Sequence, residues 1–234
     1  MSVITAENVK KTYRVGDVVV EALRGVSFAL DAGAFVSFVG PSGSGKTTLL
    51  NLIGCLDRPT SGKLTVLGTD IGTLGRKEGA RFRGQNIGFI FQDFNLIPVL
   101  SVYENVEYPL IMVQSWPEQR RRERVMELLA AVGMEGQAQK RPDQISGGQK
   151  QRVAVARALA PETKIVLADE PTANLDSDTA HRVIDLMRHL KTTFGVTFVF
   201  STHDPKIMAE AEIIYRLEDG QVTNVEKVRE AAHV

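Results

Sequence analysis

Two stretches of this chain combine residue types that act together on phosphate. Gly40-Pro41-Ser42-Gly43-Ser44-Gly45-Lys46-Thr47 has the spacing G-x-x-x-x-G-K-S/T and runs on into Thr48. Its glycines permit unusual backbone angles and close approach, so that successive N–H groups and the N-terminus of a following helix can surround phosphate oxygens. Lys46 then sets a cation against the β- and γ-phosphates, and Thr47 offers its hydroxyl to Mg²⁺. Ile165-Val166-Leu167-Ala168-Asp169-Glu170 is an apolar run that ends in two carboxylates. At the end of a buried strand, Asp169 suits direct or indirect Mg²⁺ binding, and Glu170 can orient and deprotonate an attacking water. Taken singly, the first stretch could be a plain Gly/Ser loop and the second a helix cap or a surface acid pair.

These residues need elements that place them. Phe35-Val36-Ser37-Phe38-Val39 reads as a short buried strand before the glycine loop, and Thr47 to Leu56 reads as a helix after it. Ile4 to Val9 and Val18 to Leu30 are rich in β-branched residues around a polar turn at Arg14 to Asp17, and are expected to be strands. Further apolar runs at Ile87 to Phe91, Ile165 to Ala168, Thr197 to Phe200 and Ile213 to Leu217 alternate with helical periodicity. That alternation predicts an α/β sheet of largely parallel strands. Between Phe94 and Leu159 the pattern is helical, notably over Glu118 to Val132 and Gln149 to Leu159, so a helical insertion is expected there. Arg58-Pro59-Thr60-Ser61-Gly62 and Trp116-Pro117 read as turns or helix starts.

Composition narrows the function classes. In 234 residues, 43% hydrophobic and 24% charged side chains match an ordinary globular domain rather than a disordered chain. Lys plus Arg and Asp plus Glu are both 28, so there is no overall basic field for a polyanion, and nucleic acid is not the expected partner. The one cysteine, Cys55, lies near Leu52, Ile53 and Leu56 and is expected to fill a buried helix face. Arg120-Arg121-Arg122-Glu123-Arg124 is expected to form a solvated helix face. The first residues show no basic stretch leading into an apolar run, which predicts a cytoplasmic protein. Apolar runs fall short of the roughly 20 residues a membrane helix needs, so a membrane role requires a partner.

Between the two phosphate-type stretches lies Ile145-Ser146-Gly147-Gly148-Gln149-Lys150-Gln151-Arg152, and this order resembles the signature arrangement of ABC ATPases. Gln92, Asn174-Leu175-Asp176, His203 and Tyr13 fall where that family places further functional residues. The resemblance runs from about Asn8 to Gly220. Its departures are mild: Ile145 stands for the usual Leu, and Lys150 for another polar residue. The stretch from Ile87 through Gln92-Asp93-Phe94-Asn95-Leu96-Ile97-Pro98, with Glu104-Asn105-Val106 after it, is similar to the group holding the LolD lipoprotein-release and MacB macrolide-export ATPases.

The resemblance implies a P-loop NTPase core of ABC ATPase type, with an N-terminal antiparallel β subdomain and an inserted helical subdomain. The core then spans 1–92 and 160–225, the helical part 93–159, and a C-terminal tail 226–234. It implies Tyr13 stacking on adenine, residues 40–48 on the phosphates, and Mg²⁺ organised by Thr47, Gln92 and Asp169. Glu170 becomes the general base and His203 the γ-phosphate contact, with Lys46 and Gln92 assisting. Ser146, Gly147, Gly148 and Gln149 close over ATP held by a second copy of the chain, and Asn174, Leu175 and Asp176 line that dimer interface.

It further implies an integral membrane permease subunit as partner, with this chain at the cytoplasmic face of a bacterial inner membrane. Gln92 to Tyr103 is expected to dock that partner through Phe94, Leu96, Ile97 and Leu100. The work expected is export or extraction of a lipoprotein or lipid. A non-transport regulator of cell-division type is the alternative, and a soluble DNA-repair or translation ATPase a more distant one. Repair forms carry a long coiled-coil insertion and translation forms commonly two nucleotide domains, and neither is present in these residues.

Overall fold

The computed structural model of the chain describes residues 1–228. In chain order the strands are β1 (Ser2–Val15), β2 (Val18–Asp31), β3 (Phe35–Val39), β4 (Ser61–Val66), β5 (Thr69–Asp70), β6 (Ile87–Ile90), β7 (Ile165–Ala168), β8 (Thr197–Thr202), β9 (Ile213–Glu218) and β10 (Gln221–Lys227). The α-helices are α1 (Lys46–Ile53), α2 (Arg76–Asn86), α3 (Val102–Pro109), α4 (Glu118–Ala131), α5 (Gly147–Leu159), α6 (Ser177–Phe194) and α7 (Pro205–Met208). Two compact units divide the chain: residues 1–80 with the chain from 199 onward, and residues 81–198.

In the first unit, β1 pairs antiparallel with β2 on one side and β4 on the other. Alternating burial along the end of β2, with Val26, Phe28 and Leu30 in and their neighbours out, is what a strand covered on one face requires. β3 has no such alternation, and all five of its residues are buried, so it is covered on both faces. It runs parallel to β9, with Val36 opposite Ile213 and Val39 opposite Arg216. Phe38 stands at the centre of an aromatic cluster, 5.2 Å from the rings of both Phe28 and Tyr215. Such tilted contacts add about 0.5–1.5 kcal/mol to the area buried.

In the second unit, β6 and β7 pair in parallel from Ile87 opposite Ile165 to Ile90 opposite Ala168. Around them lie α3 to α6. α5 buries Val153, Ala154, Val155, Ala156, Ala158 and Leu159, so small residues on this helix permit close packing. A Cβ at Gly88 on β6 would sit 2.2 Å from the carbonyl oxygen of Ala158, so only glycine admits this approach. No helix among the described residues is long and apolar enough to cross a membrane.

The α/β class and the strands at 35–39, 165–168 and 213–217 agree with the pattern read from the sequence. Three details differ. Leu52 and Ile53 are buried on α1, but Cys55 comes after its end at φ +54 and is half-buried, while Leu56 is exposed. Helix geometry ends at Ile53, so the periodicity that placed Cys55 on the same face no longer applies. Ser61 and Gly62 open strand β4 rather than a turn or a helix. The arginine run is not simply solvated. Arg120 stacks 3.6 Å from the Trp116 ring, Arg121 pairs with Glu107 at 2.8 Å, and Arg124 bonds Glu127 and the carbonyl of Leu159. Long basic side chains cover apolar surface while keeping their heads bonded.

β10 was not anticipated, although Asp219-Gly220 is a strong hairpin signal and both residues take positive φ in the turn from β9. It extends to Lys227, and the expected tail lies outside the described residues from position 229.

The close approach at Gly88 yields a test of the packing. Gly88→Ala must push backbone apart rather than a flexible side-chain end, which costs about 1–3 kcal/mol. A lower urea midpoint at unchanged slope is the expected reading.

Candidate functional site

In the first unit the glycine loop leaves β3 and returns into α1, which starts at Lys46 with no side-chain cap on Gly45. First-turn N–H groups are therefore turned to the loop rather than spent on a capping side chain. A Cβ at Gly40 would meet the carbonyl oxygen of Leu217 at 2.0 Å, and one at Gly45 the carbonyl oxygen of Ala22 at 2.6 Å. The loop is thus pressed close to the backbone of β2 and β9 at these two glycines. Lys46 is buried, and its Nζ donates to the carbonyl oxygens of Gly40 (2.8 Å) and Pro41 (2.9 Å). A buried ammonium beside the glycine loop is a cation that phosphate oxygens can pair with.

Tyr13 on β1 donates from its hydroxyl to Asp57 at 2.9 Å. Lys11 lies 4.9 Å from its ring centroid and pairs with Asp57 at 2.7 Å. Burial and the neighbouring Asp57 carboxylate push the phenol pKa up, so the hydroxyl remains a donor. Burial alone would raise the Asp57 carboxyl. Bonds from Lys11, the Arg58 N–H and Tyr13 outweigh that and hold it below the usual range. The half-buried ring is held by its hydroxyl, with Lys11 over its face.

His203 follows β8 and is exposed. It shares a cavity of about 260 Å³ with Val39, Gly40, Pro41, Thr202 and Arg216. The first unit therefore brings the histidine and the start of the glycine loop to one cavity.

In the second unit, Asp169 and Glu170 stand at the end of β7, and the Asp169 N–H donates to the Ile90 carbonyl on β6 at 3.0 Å. Glu170 takes φ +50, a left-handed conformation that a non-glycine residue holds only at a cost of about 1–3 kcal/mol. Gln92 is exposed just beyond β6. Asn174 donates from its amide to the Gln92 carbonyl (3.1 Å) and to the Asp93 carboxylate (2.9 Å). Asp176 caps α6 by accepting from the Thr179 N–H, and that bond lowers its carboxyl pKa.

Ser146 and Gln149 form a reciprocal capping box at the start of α5. The Ser146 hydroxyl accepts from the Gln149 N–H at 3.3 Å, and the Gln149 side-chain oxygen accepts from the Ser146 N–H at 2.9 Å. Gly147 and Gly148 lie between them. Sequence reasoning read Ser-Gly-Gly-Gln as a recognition motif and overlooked that its spacing is also that of a capping box. Arg157, near the end of α5, was missed as well. Its guanidinium donates to the carbonyls of Phe94 (2.8 Å) and Asn95, both at positive φ. Burial lowers its pKa from the usual guanidinium range. No local spacing rule links an arginine to carbonyls some sixty positions earlier.

Comparison with known proteins adds an independent view. A family model described as ABC transporter matches residues 23–173. The chain is 44% identical over 219 residues to the lipoprotein-releasing system ATP-binding protein LolD of Anaeromyxobacter dehalogenans, covering 94% of this chain and 92% of that one. It is 44% identical over 223 residues to the macrolide export ATP-binding/permease protein MacB of Syntrophobacter fumaroxidans, covering 95% of this chain but 31% of the longer protein. Among solved structures, a dimer of the ATP-binding cassette MJ0796 of Methanocaldococcus jannaschii, bound to ADP and Pi in a post-hydrolysis state, superposes with a TM-score of 0.88. That match is 44% identical and covers 97% of this chain and 99% of that chain.

The capping box separates a helix-stabilising role from a recognition role. Ser146→Ala removes the acceptor and is expected to cost about 1 kcal/mol, whereas Ser146→Gly costs only a few tenths. Thermal or urea denaturation of the two variants gives that order directly.

Proposed function

The chain belongs to the ABC transporter family as an ATP-hydrolysing subunit, and we propose that two copies close around two Mg-ATP to drive a separate membrane subunit. The observation that carries this reading is the cavity shared by His203 and the Gly40–Pro41 end of the glycine loop, beside the buried Lys46 cation. That grouping puts a donor or acceptor imidazole next to a phosphate cradle, as a sensor of the terminal phosphate requires.

In this reading the loop amides of residues 40–48 and Lys46 bind the phosphates, and Tyr13 stacks on the base. Thr47, Gln92 and Asp169 are the ligands or orienting groups for Mg²⁺, which neutralises charge on the β- and γ-oxygens. Glu170, at a left-handed backbone position after β7, takes a proton from the attacking water. Ser146, Gly147 and Gly148 offer the N-terminal end of α5 to ATP of the other copy, with Gln149 holding that end in shape. Asn174, Leu175 and Asp176 lie at the interface between copies, and Asn174 also ties that stretch to Gln92 within its own chain. Loss of the γ-phosphate weakens the bridge, so hydrolysis reopens the dimer.

The division of labour follows 1–92 and 160–225 as nucleotide core and 93–159 as helical subdomain. The dimeric state of the MJ0796 cassette supports the homodimer, and the permease portion of MacB supports a membrane partner. The chain then works at the cytoplasmic face of a bacterial inner membrane. The names of LolD and MacB favour export or lipoprotein extraction over cell-division regulation.

Glu170→Gln keeps nucleotide binding and is expected to lower turnover by on the order of 10²–10⁴-fold. Light scattering with and without Mg-ATP should show the variant trapped as a dimer; a monomer at saturating Mg-ATP overturns the sandwich. The docking reading has its own check. Leu100→Asp puts a charge among apolar groups and is expected to weaken co-purification with the membrane subunit, leaving ATP affinity of the isolated chain within about twofold.

A further inference from the structure

Between Gln92 and α3 the chain has no helical or strand ladder, so its polar backbone groups must be met from elsewhere. Asn174 meets the carbonyl of Gln92, and Arg157 those of Phe94 and Asn95. In the last part, Ile97 to Ser101, the Ser101 N–H is met by Glu104, and the groups of Ile97 and the carbonyls of Leu100 and Ser101 are met by one side chain, Asn105 of α3. Its oxygen accepts from the Ile97 N–H at 2.7 Å, and its amide nitrogen donates to the carbonyls of Ile97 (3.1 Å), Leu100 (3.1 Å) and Ser101 (2.9 Å).

Helix stability does not account for this residue. Asn is a weak helix former, and the first turn of α3 is already served by the reciprocal bonds of Ser101 and Glu104. Asn105 is fully buried at 0% exposure, and burying an amide is favourable only with its bonds made. What it holds is a tight turn. The Leu100 N–H donates to the Ile97 carbonyl at 3.2 Å, with Pro98 stiffening the second position. The third position is Val99, which at 72% exposure is the most exposed large hydrophobic side chain after Met1 among the described residues. A buried amide, a proline and a closing hydrogen bond thus converge to present one apolar side chain to solvent.

We propose that Asn105 is a positioning residue for partner recognition: it fixes the Ile97–Leu100 turn so that Val99 enters an apolar recess on a cytoplasmic segment of the membrane subunit. The proposal rests on the reading of Gln92 to Tyr103 as the docking segment. Continuity favours that occupant, because the turn follows directly on Gln92 and is flanked by the half-buried Leu96, Ile97 and Leu100. A turn ordered before contact loses little freedom on binding, which is where a single valine gains most.

The test uses the full chain co-expressed with its membrane subunit. Asn105→Asp keeps size but turns acceptors toward three carbonyls, and Val99→Ser alters only the exposed knob. Both are expected to weaken association by about tenfold or more, with basal turnover and ATP affinity of the isolated chain within about twofold. If Val99→Ser and Leu100→Asp both leave association intact, the docking reading falls and Asn105 with it. If they weaken association and Asn105→Asp does not, the assignment of Asn105 alone is overturned. Basal turnover and thermal midpoint falling together in Asn105→Asp would mean a purely structural role and would also overturn it. Should that variant fail to fold, hydrogen exchange on the unaltered chain decides. Ile97 and Leu100 amides exchanging at least about a hundredfold slower than in an unfolded chain support the stapled turn, and unprotected exchange refutes it.

Discussion

Backbone groups that leave a buried strand must still find partners, and that requirement shapes the loops after β3, β6 and β8. At the end of β3 the carbonyls of Gly40 and Pro41 are met by the Lys46 ammonium. Beyond β6 the carbonyls of Gln92, Phe94 and Asn95 are met by Asn174 and Arg157. At the end of β8 the Asp204 N–H finds the Thr202 hydroxyl. Each loop is held by one or two specific side chains rather than by a ladder. The loops can therefore be exposed to a ligand and yet hold one shape.

The same economy explains why residues with a recognised chemical part also carry a structural one. Ser146 and Gln149 secure the start of α5, and the N–H groups of the glycines between them carry no bulk that could block an approaching phosphate. Asp176 caps α6, and Asn174 beside it reaches back to Gln92. A change near the acidic end of β7 thus has a short, bonded route to the segment after β6. Short bonded routes are the kind of contact through which a local event becomes a displacement.

Some of the chain's left-handed non-glycine residues also fall in these loops. Glu170, Phe94 and Asn95 all hold positive φ without being glycine. In the last two, the guanidinium of Arg157 holds both carbonyls, which is the sort of outside support such a conformation needs. The arginine is half-buried, and the desolvation that lowers its pKa leaves its bonds to those carbonyls less weakened by water than they would be at the surface.

The α/β class, the glycine loop, the acidic strand end and the order of motifs between them are legible in the residues alone. These depend on local spacing, which the chain displays directly: an unbroken apolar run such as Phe35 to Val39 has few other uses than a strand buried on both faces. The sequence also held clues that were legible but overlooked, the Asp219-Gly220 hairpin and the Ser146–Gln149 capping box among them. The place of Cys55 was misread because Gly54, a helix stop signal, caps α1 directly before it and ends the periodicity that put it on the buried face. That Arg157 clamps Phe94 and Asn95, that Asn174 bonds Gln92, and that His203 shares a cavity with Gly40 emerges only once the chain is folded. Those contacts join residues far apart in the chain, and hydrogen-bond partners at such separations are chosen by which backbone groups the fold leaves unpaired, a property no short stretch of sequence contains.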